Sequence, residues 1–320
     1  MPWEAVDLGQ GGSLPGSWVS HWRAAPDRVV LSTLDGFALR GAELDELSAA
    51  AAHRYLGAGL TPGDRILLCA ATGMEMVLAY IGALRAGLTV VPANPAYTAP
   101  EIAALIAAAA PAIAVIDDVS LVDSVRAVTP DLIALGSPSV GAELDRAAPS
   151  DLALIIFTSG TTGQPKGVPL THANLLASAH AVRLAWRWEP SDQLALCLPL
   201  FHVHGLGVGL HGTLTAGAGA MLLPRFEPSL LASAVTAGAT LFFGVPTMYH
   251  KLASSPDLSS LGGLRLAVSG SAPLAAELHE AIRAGSGLTV LERYGMTETV
   301  MLVSNPYLSL IHISEPTRRS

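Results

Sequence analysis

Short apolar runs alternate with longer amphipathic or alanine-rich segments along most of the chain. Residues 29–32 and 37–39 are apolar and flank Asp35-Gly36, a dipeptide suited to a turn with positive φ, so this stretch predicts a hairpin. Residues 42–56, with leucines at 44, 47 and 56, predict a helix that ends at Gly57 and Gly59. Strands are predicted at 64–69, 88–91 and 112–116, and helices at 74–86 and 98–110, the second opened by a Thr98–Glu101 capping box. Beyond residue 150 the alternation resumes. Strands are predicted at 152–156, 194–197, 220–223, 240–243, 265–268 and 289–291. Helices are predicted from about Thr171, at 205–215 despite its glycines, and at 229–237, 247–253 and 274–284.

Alternation at this spacing predicts an α/β fold: mostly parallel sheets flanked by helices. Such sheets place ligands at the carboxyl ends of strands, and the sharpest loops follow Ile156, Val268 and Leu291. Between about 117 and 150 the pattern weakens and prolines recur. That join predicts a first α/β subdomain over 1–150 and a second, carrying the site, over 151–307. Residues 308–320 continue no earlier pattern. They resemble the translated read-through of a sequencing adapter and are expected to be foreign to the fold.

Composition narrows the class. Hydrophobic residues make up 51% of the 320-residue chain, enough for a sizeable core. Charged residues are only 14% and the net charge is -8, which argues against nucleic acid as a partner. The two cysteines, Cys69 and Cys197, lie in apolar strand-like runs and read as buried thiols, in keeping with a reducing cytoplasm. No secretory leader pattern opens the chain. The most apolar stretch, 66–91, is broken by Glu75, Arg85 and three glycines, so no membrane span is expected. Composition does not address the oligomeric state.

The candidate chemistry centres on residues 157–168, Phe-Thr-Ser-Gly-Thr-Thr-Gly-Gln-Pro-Lys-Gly-Val. Three glycines, four hydroxyls and one lysine follow a buried strand, and a helix is expected close behind. Glycine backbone, successive N–H groups, hydroxyls and a mobile cation make an anion cradle, so the stretch reads as a phosphate loop between strand and helix. It is not the common Gly-x-x-x-x-Gly-Lys-Ser/Thr loop, because Lys166 lies between Pro165 and Gly167 and the proline prevents an immediate helix start.

Residues 158–167 instead resemble the signature of the adenylate-forming superfamily of acyl-CoA synthetases, peptide-synthetase adenylation domains and luciferases. Four further segments resemble that family's motifs in order: 199–205 (Pro-Leu-Phe-His-Val-His-Gly), 244–247 (Gly-Val-Pro-Thr), 269–274 (Ser-Gly-Ser-Ala-Pro-Leu) and 294–298 (Tyr-Gly-Met-Thr-Glu). The resemblance covers about 20–307. It implies ATP-dependent activation of a carboxylic acid as an acyl-adenylate, followed by transfer to coenzyme A, with the large N-terminal domain of that fold present but incomplete. It assigns Thr158, Ser159, Gly160, Thr161, Thr162, Gly163 and Lys166 to the β- and γ-phosphates. Thr297 goes to the α-phosphate and Glu298 to Mg²⁺. Ser271, Ala272 and Pro273 line the adenine, with Tyr294, Gly295 and Met296 closing on the nucleotide. Lys166, Thr297 and Glu298 are then the catalytic group.

The same resemblance puts His202 and His204 beside the acyl and pantetheine channel, with Met296 also near the acid. Their i, i+2 spacing would set both histidines on one side of a strand. With His211 they could suggest zinc, but no nearby carboxylate or cysteine cluster completes a site. His211 also reads as a half-buried structural histidine. Arg293 precedes Tyr294 at a strand end, where a buried guanidinium needs a partner. A second carboxylate on the substrate would supply one in bidentate geometry; pairing with Glu292, or exposure, is the alternative. Residues 291–307 closely resemble malonyl-CoA synthetases, so malonate or methylmalonate is the expected acid.

The family's ribose-binding aspartate, hinge and C-terminal lysine domain are expected beyond this sequence, so the 320-residue chain is expected to have little ligase activity alone. Other short- or medium-chain acyl-CoA synthesis, and a non-catalytic nucleotide-binding remnant, remain as alternatives. An amino-acid-activating domain would carry an early pocket aspartate, and residues 201–204 show none.

Overall fold

The computed structural model of the chain describes residues 12–135, 143–159, 165–305 and 307, and the backbone alone at Ser159 and Pro165. Helix α1 (Leu14–Ala24) starts at Ser13, whose Oγ accepts the Gly16 N–H, with a proline in the first turn. The sequence patterns above did not pick it out. Its buried residues Leu14, Trp18, Val19 and Trp22 nonetheless recur at helical spacing. Strands β1 (Val29–Thr33) and β2 (Ala38–Arg40) form the expected hairpin, with Gly36 at φ 93° and the Thr33 N–H bonded to the Phe37 carbonyl.

Next come α2 (Gly41–Gly57), β3 (Arg65–Cys69), α3 (Met74–Arg85), β4 (Thr89–Pro92), α4 (Ala99–Ala109) and β5 (Ile113–Ile116). The Thr98 N–H donates to Glu101 Oε2 at 2.8 Å, as the capping box predicts. Where the pattern weakened, the chain forms β6 (Ala127–Val128) and the one-and-a-half-turn α5 (Pro130–Leu135). It continues through β7 (Leu152–Ser159), β8 (Pro165–Thr171), α6 (His172–Ala185), β9 (Gln193–Leu196), a π-helix over His204–Leu210, and α7 (His211–Thr215). The last stretch holds β10 (Gly219–Leu222), α8 (Pro228–Thr236), β11 (Leu241–Gly244), α9 (Pro246–Ala253), β12 (Leu266–Ser269), α10 (Ala276–Ser286), β13 (Val290–Tyr294) and β14 (Val303–Ser304).

The strands make two mostly parallel sheets, as the alternation requires. One has the order β6-β5-β3-β4-β7-β8 and the other β14-β13-β12-β11-β9-β10-β1-β2. Two compact units follow from them: Met1–Arg28 with Arg40–Ala181, and Val29–Leu39 with Val182–Ser320. This division differs from the expected break at 150/151. β7 pairs in parallel with β4 (Leu154 opposite Val90), which keeps residues 151–181 with the first unit. β1 pairs in parallel with β10 (Leu31 opposite Ala220), which takes the hairpin into the second. Residues 308–320 lie outside the described residues.

The first unit packs Leu67, Val91, Ile102, Leu105, Ala114 and Ile116 into one cluster. Its connector before β7 is tied down electrostatically. The buried Arg85 guanidinium bonds Asp145 through Nε (3.1 Å) and Nη2 (2.9 Å), and Nη1 reaches Asp45 Oδ1 (2.8 Å) and Ser48 Oγ (2.9 Å). The second unit buries Phe242, Tyr249, Leu231, Leu252 and Ile282. Both cysteines are buried free thiols, pushed up by burial to about 11 at Cys69 and about 12 at Cys197. Among the described residues no helix is long and apolar enough to cross a membrane; the apolar stretch 66–91 resolves into β3, α3 and β4.

His172, at the start of α6, is fully buried and accepts the Leu14 N–H on Nδ1 at 3.2 Å. Burial lowers it from 6.5 to about 4. The unfolded chain therefore takes up this proton first as pH falls. The stability the neutral ring supplies is whole above about pH 6.5 and is lost progressively down to about pH 4, by roughly 3 kcal/mol. Urea unfolding across that range should show the decline, and His172→Asn, which keeps an acceptor for Leu14 without the titration, should flatten it.

Candidate active site

The phosphate-type stretch lies in the first unit and is built differently from expectation. β7 turns back on itself, and β8 runs antiparallel to it with Thr158 opposite Lys166 and Ile156 opposite Val168. The loop therefore joins two strands, not a strand and a helix; the helix begins one strand later, at His172. The reason is covalent. Pro165, Gly167 and Pro169 disfavour helix, and proline fits a strand at a sheet edge, which β8 is. Thr158 is half-buried and Lys166 is exposed. Of the residues assigned to phosphate, Gly160, Thr161, Thr162 and Gly163 lie outside the described residues, and Ser159 is described by its backbone alone.

The other motif segments lie in the second unit. β9, β11, β12 and β13 are neighbouring parallel strands, with Gly244 opposite Ser269 and Ser269 opposite Glu292. Residues 199–205, 244–247, 269–274 and 294–298 all follow the carboxyl ends of these strands, so the sheet brings them to one edge. Ser271, Ala272 and Pro273 are exposed there, as are Tyr294, Met296 and Glu298, while Thr297 is half-buried. The turn at 296–300 is held by the Val300 N–H to the Met296 carbonyl at 2.8 Å and by the Met296 N–H to Thr299 Oγ1 at 3.2 Å.

The histidines correct a second expectation. Residues 201–203 form a turn and His204 opens the π-helix, so His202 and His204 do not share a strand face: His202 is exposed and His204 is buried. The segment is helical as expected despite its glycines, and the glycines serve its packing. A Cβ at Gly205 would sit 2.8 Å from the Leu198 carbonyl oxygen, and one at Gly207 would sit 2.9 Å from Val300 Cγ1. The π-helix thereby seats the turn that carries Thr297 and Glu298. Such insertions recur at functional sites. His211 is buried as well, and among the described residues no group of three or more His, Cys, Asp or Glu side chains is placed to hold a metal ion.

His204 Nδ1 lies 3.3 Å from Ser271 Oγ, a contact linking two motif segments that the sequence did not reveal. Burial first, then the charge of Arg293 and then His202, hold His204 well below its ordinary value, so it is neutral near pH 7. Arg293 itself is buried at 6% exposure, and among the described residues neither its Nε nor its Nη2 has a hydrogen-bond partner. Burial lowers it to about 10, which still leaves it charged at neutral pH. Among the described residues His204 Nε2 and the buried Ser269 Oγ, at the end of β12, also lack hydrogen-bond partners. The strand ends thus present a cation and several polar atoms with spare hydrogen-bonding capacity.

Glu292 does not pair with Arg293. Its Oε1 accepts the Leu274 N–H at 3.0 Å, and its Oε2 is 3.5 Å from His279 Nε2 on α10. Successive strand residues point to opposite faces, which the sequence alone could have indicated. Glu292 therefore braces the 269–274 segment from behind. β14 lies beside the same strand, with Ser304 opposite Arg293. It is anchored by the Trp186 Nε1–H to Ser304 Oγ at 2.7 Å and by Tyr307, whose ring lies 5.4 Å from the Arg265 guanidinium and 5.5 Å from that of Arg187.

A family model described as AMP-binding enzyme matches residues 19–319. The oxalate–CoA ligase of Arabidopsis thaliana is 35% identical over 310 residues, covering 88% of this chain and 60% of the ligase. The structure of ATP-bound MatB from Rhodopseudomonas palustris matches with a TM-score of 0.83 and 36% identity, over 92% of this chain and 62% of that one. A malonyl-CoA ligase in a ternary product complex with methylmalonyl-CoA and AMP matches with a TM-score of 0.75 and 36% identity, over 94% and 62%. The chain therefore spans about three fifths of the length of these relatives.

Replacing Glu292 by leucine removes the acceptor from a buried N–H and should lower stability by about 1–3 kcal/mol. Glu292→Gln keeps an acceptor and should stay close to the parent. Thermal unfolding of the two variants measures the difference.

Proposed function

The chain belongs to the AMP-binding enzyme family, and from that premise we infer that it is the nucleotide- and acid-binding part of an AMP-forming acid–CoA ligase that activates malonate or methylmalonate. The observation that carries the choice of acid is Arg293: a buried, charged guanidinium with two nitrogens unpartnered among the described residues, at the edge where the motif segments of the second unit meet. Leaving such a charge unpaired is costly, and a carboxylate accepts from a guanidinium in two parallel bonds. A substrate with one carboxylate to react and another to pair with Arg293 satisfies both demands. The relatives named for malonyl-CoA, methylmalonyl-CoA and oxalate support a short dicarboxylic acid.

The reaction has two halves. A carboxylate oxygen of the acid attacks the α-phosphorus of ATP, and the bond to pyrophosphate breaks. The CoA sulfur then attacks the acyl carbon of the adenylate, the thiol proton passes to solvent or a base, and AMP leaves. Charge develops on phosphate oxygens in the first half, so positioning and electrostatic stabilisation dominate. In this reading Thr158, Ser159, Gly160, Thr161, Thr162, Gly163 and Lys166 bind the β- and γ-phosphates. Thr297 bonds the α-phosphate. Ser271, Ala272, Pro273, Tyr294, Gly295 and Met296 border the nucleotide. Neutral His204 hydrogen-bonds the acid or the thioester, and His202 borders the pantetheine path. An exposed single carboxylate suits Mg²⁺, which keeps several waters and shares phosphate oxygens, so Glu298 is the protein ligand expected to hold it. When bound, the ion neutralises charge on those oxygens. The two free buried thiols support a cytoplasmic setting.

Malonate-dependent ATP–pyrophosphate exchange in the full-length protein is the direct test, with methylmalonate, oxalate and acetate as competing acids. Arg293→Ala should lower kcat/KM for the dicarboxylic acid by about 100-fold or more and leave acetate within a few-fold. Equal losses for both acids would remove Arg293 from this role, and an enzyme preferring medium-chain fatty acids would end the malonate reading.

A further inference from the structure

Gly270 lies between Ser269, the last residue of β12, and Ser271, which contacts His204. Its φ is outside the left-handed region, so the backbone there does not require glycine. Space does. A Cβ built at this position would lie 2.9 Å from Arg293 Cδ, 2.7 Å from Cζ and closer still to Nε. The Arg293 guanidinium occupies the volume that any other residue at 270 would fill. Among the atoms crowding that volume, those nearest belong to the far end of this one side chain.

We propose that Gly270 determines specificity by acting as a positioning residue: its missing side chain is what lets the Arg293 guanidinium lie at the strand ends where a second carboxylate can reach it. The inference rests on the reading of Arg293 given above. It adds that dicarboxylate preference is a property of the pair, so an arginine at 293 without glycine at 270 does not confer it. The guanidinium is buried, and Glu292 and β14 fix the strand it grows from. It therefore cannot yield to a methyl group without leaving its place. The backbone can stay: the Gly270 N–H bond to the Gly244 carbonyl, 3.2 Å long, is open equally to alanine.

The test compares the parent, Gly270→Ala, Arg293→Ala and the double variant in the full-length protein. It measures kcat/KM for malonate and for acetate, together with the ¹H–¹⁵N signal of Arg293 Nε. A displacement of about 1 Å costs on the order of 100-fold in an aligned site, so Gly270→Ala should cut the malonate-to-acetate ratio by roughly 10- to 100-fold. Adding it to Arg293→Ala should change the ratio no further, since the glycine acts through the arginine. The Nε signal, assigned by its loss in Arg293→Ala, should shift in Gly270→Ala and lose its response to added malonate. A Gly270→Ala enzyme with the parent ratio, while Arg293→Ala has lost it, would overturn this inference and leave the function standing. Parent and Arg293→Ala with equal ratios would overturn both. Equal loss of malonate and acetate turnover in Gly270→Ala would assign Gly270 a structural role and also overturn the inference.

Discussion

A positive charge kept in the interior without an internal partner constrains everything around it. Arg293 is such a charge: among the described residues its Nε and Nη2 find no hydrogen-bond partner. The neighbouring acid, Glu292, points to the other face of β13 and is engaged by Leu274 and His279. The nearby imidazole of His204 is held neutral, partly by Arg293 itself. Burial takes the guanidinium only to about 10, short of discharging it near neutrality. An unpaired buried ion costs several kcal/mol even after relaxation. In the function proposed above, the second carboxylate of the acid offsets that cost.

Much of the architecture was legible in the sequence, because parallel strands buried on both faces read as apolar runs and the helices between them end at glycines. The runs at 64–69, 88–91 and 112–116 became β3, β4 and β5 with shifts of a residue or so. What stayed hidden were features set by tertiary partners. α1 depends on a short cap and on a His172 side chain 158 residues away. The connector at 143–151 has little pattern of its own because its place is fixed by Arg85, whose partners are distant in sequence. The unit boundary also followed pairing that no local pattern encodes.

The site was legible in its residue types and less so in its geometry. The motif segments after Leu196, Gly244, Ser269 and Tyr294 do lie at strand ends. Spacing misled at the histidines, since a period of two holds only in a strand and the segment is a turn that runs into a π-helix. It misled again at 157–168, where Pro165 was read as delaying a helix and the chain in fact continues into an additional strand. Gly270 passed as part of a small-residue loop. Its neighbour across the sheet, two dozen residues on, is what gives that glycine a meaning.

The edge position of β8 has a consequence for association. An open sheet edge offers unpaired backbone donors to any extended chain that meets it. Pro165 and Pro169 lie four residues apart in β8, opposite Ser159 and Ile155, and neither carries an N–H to offer. A glycine-rich loop can thus be carried at the border of a sheet without making that border a template for fibrils. The residues that rule out a helix after the loop also guard the protein against its own copies.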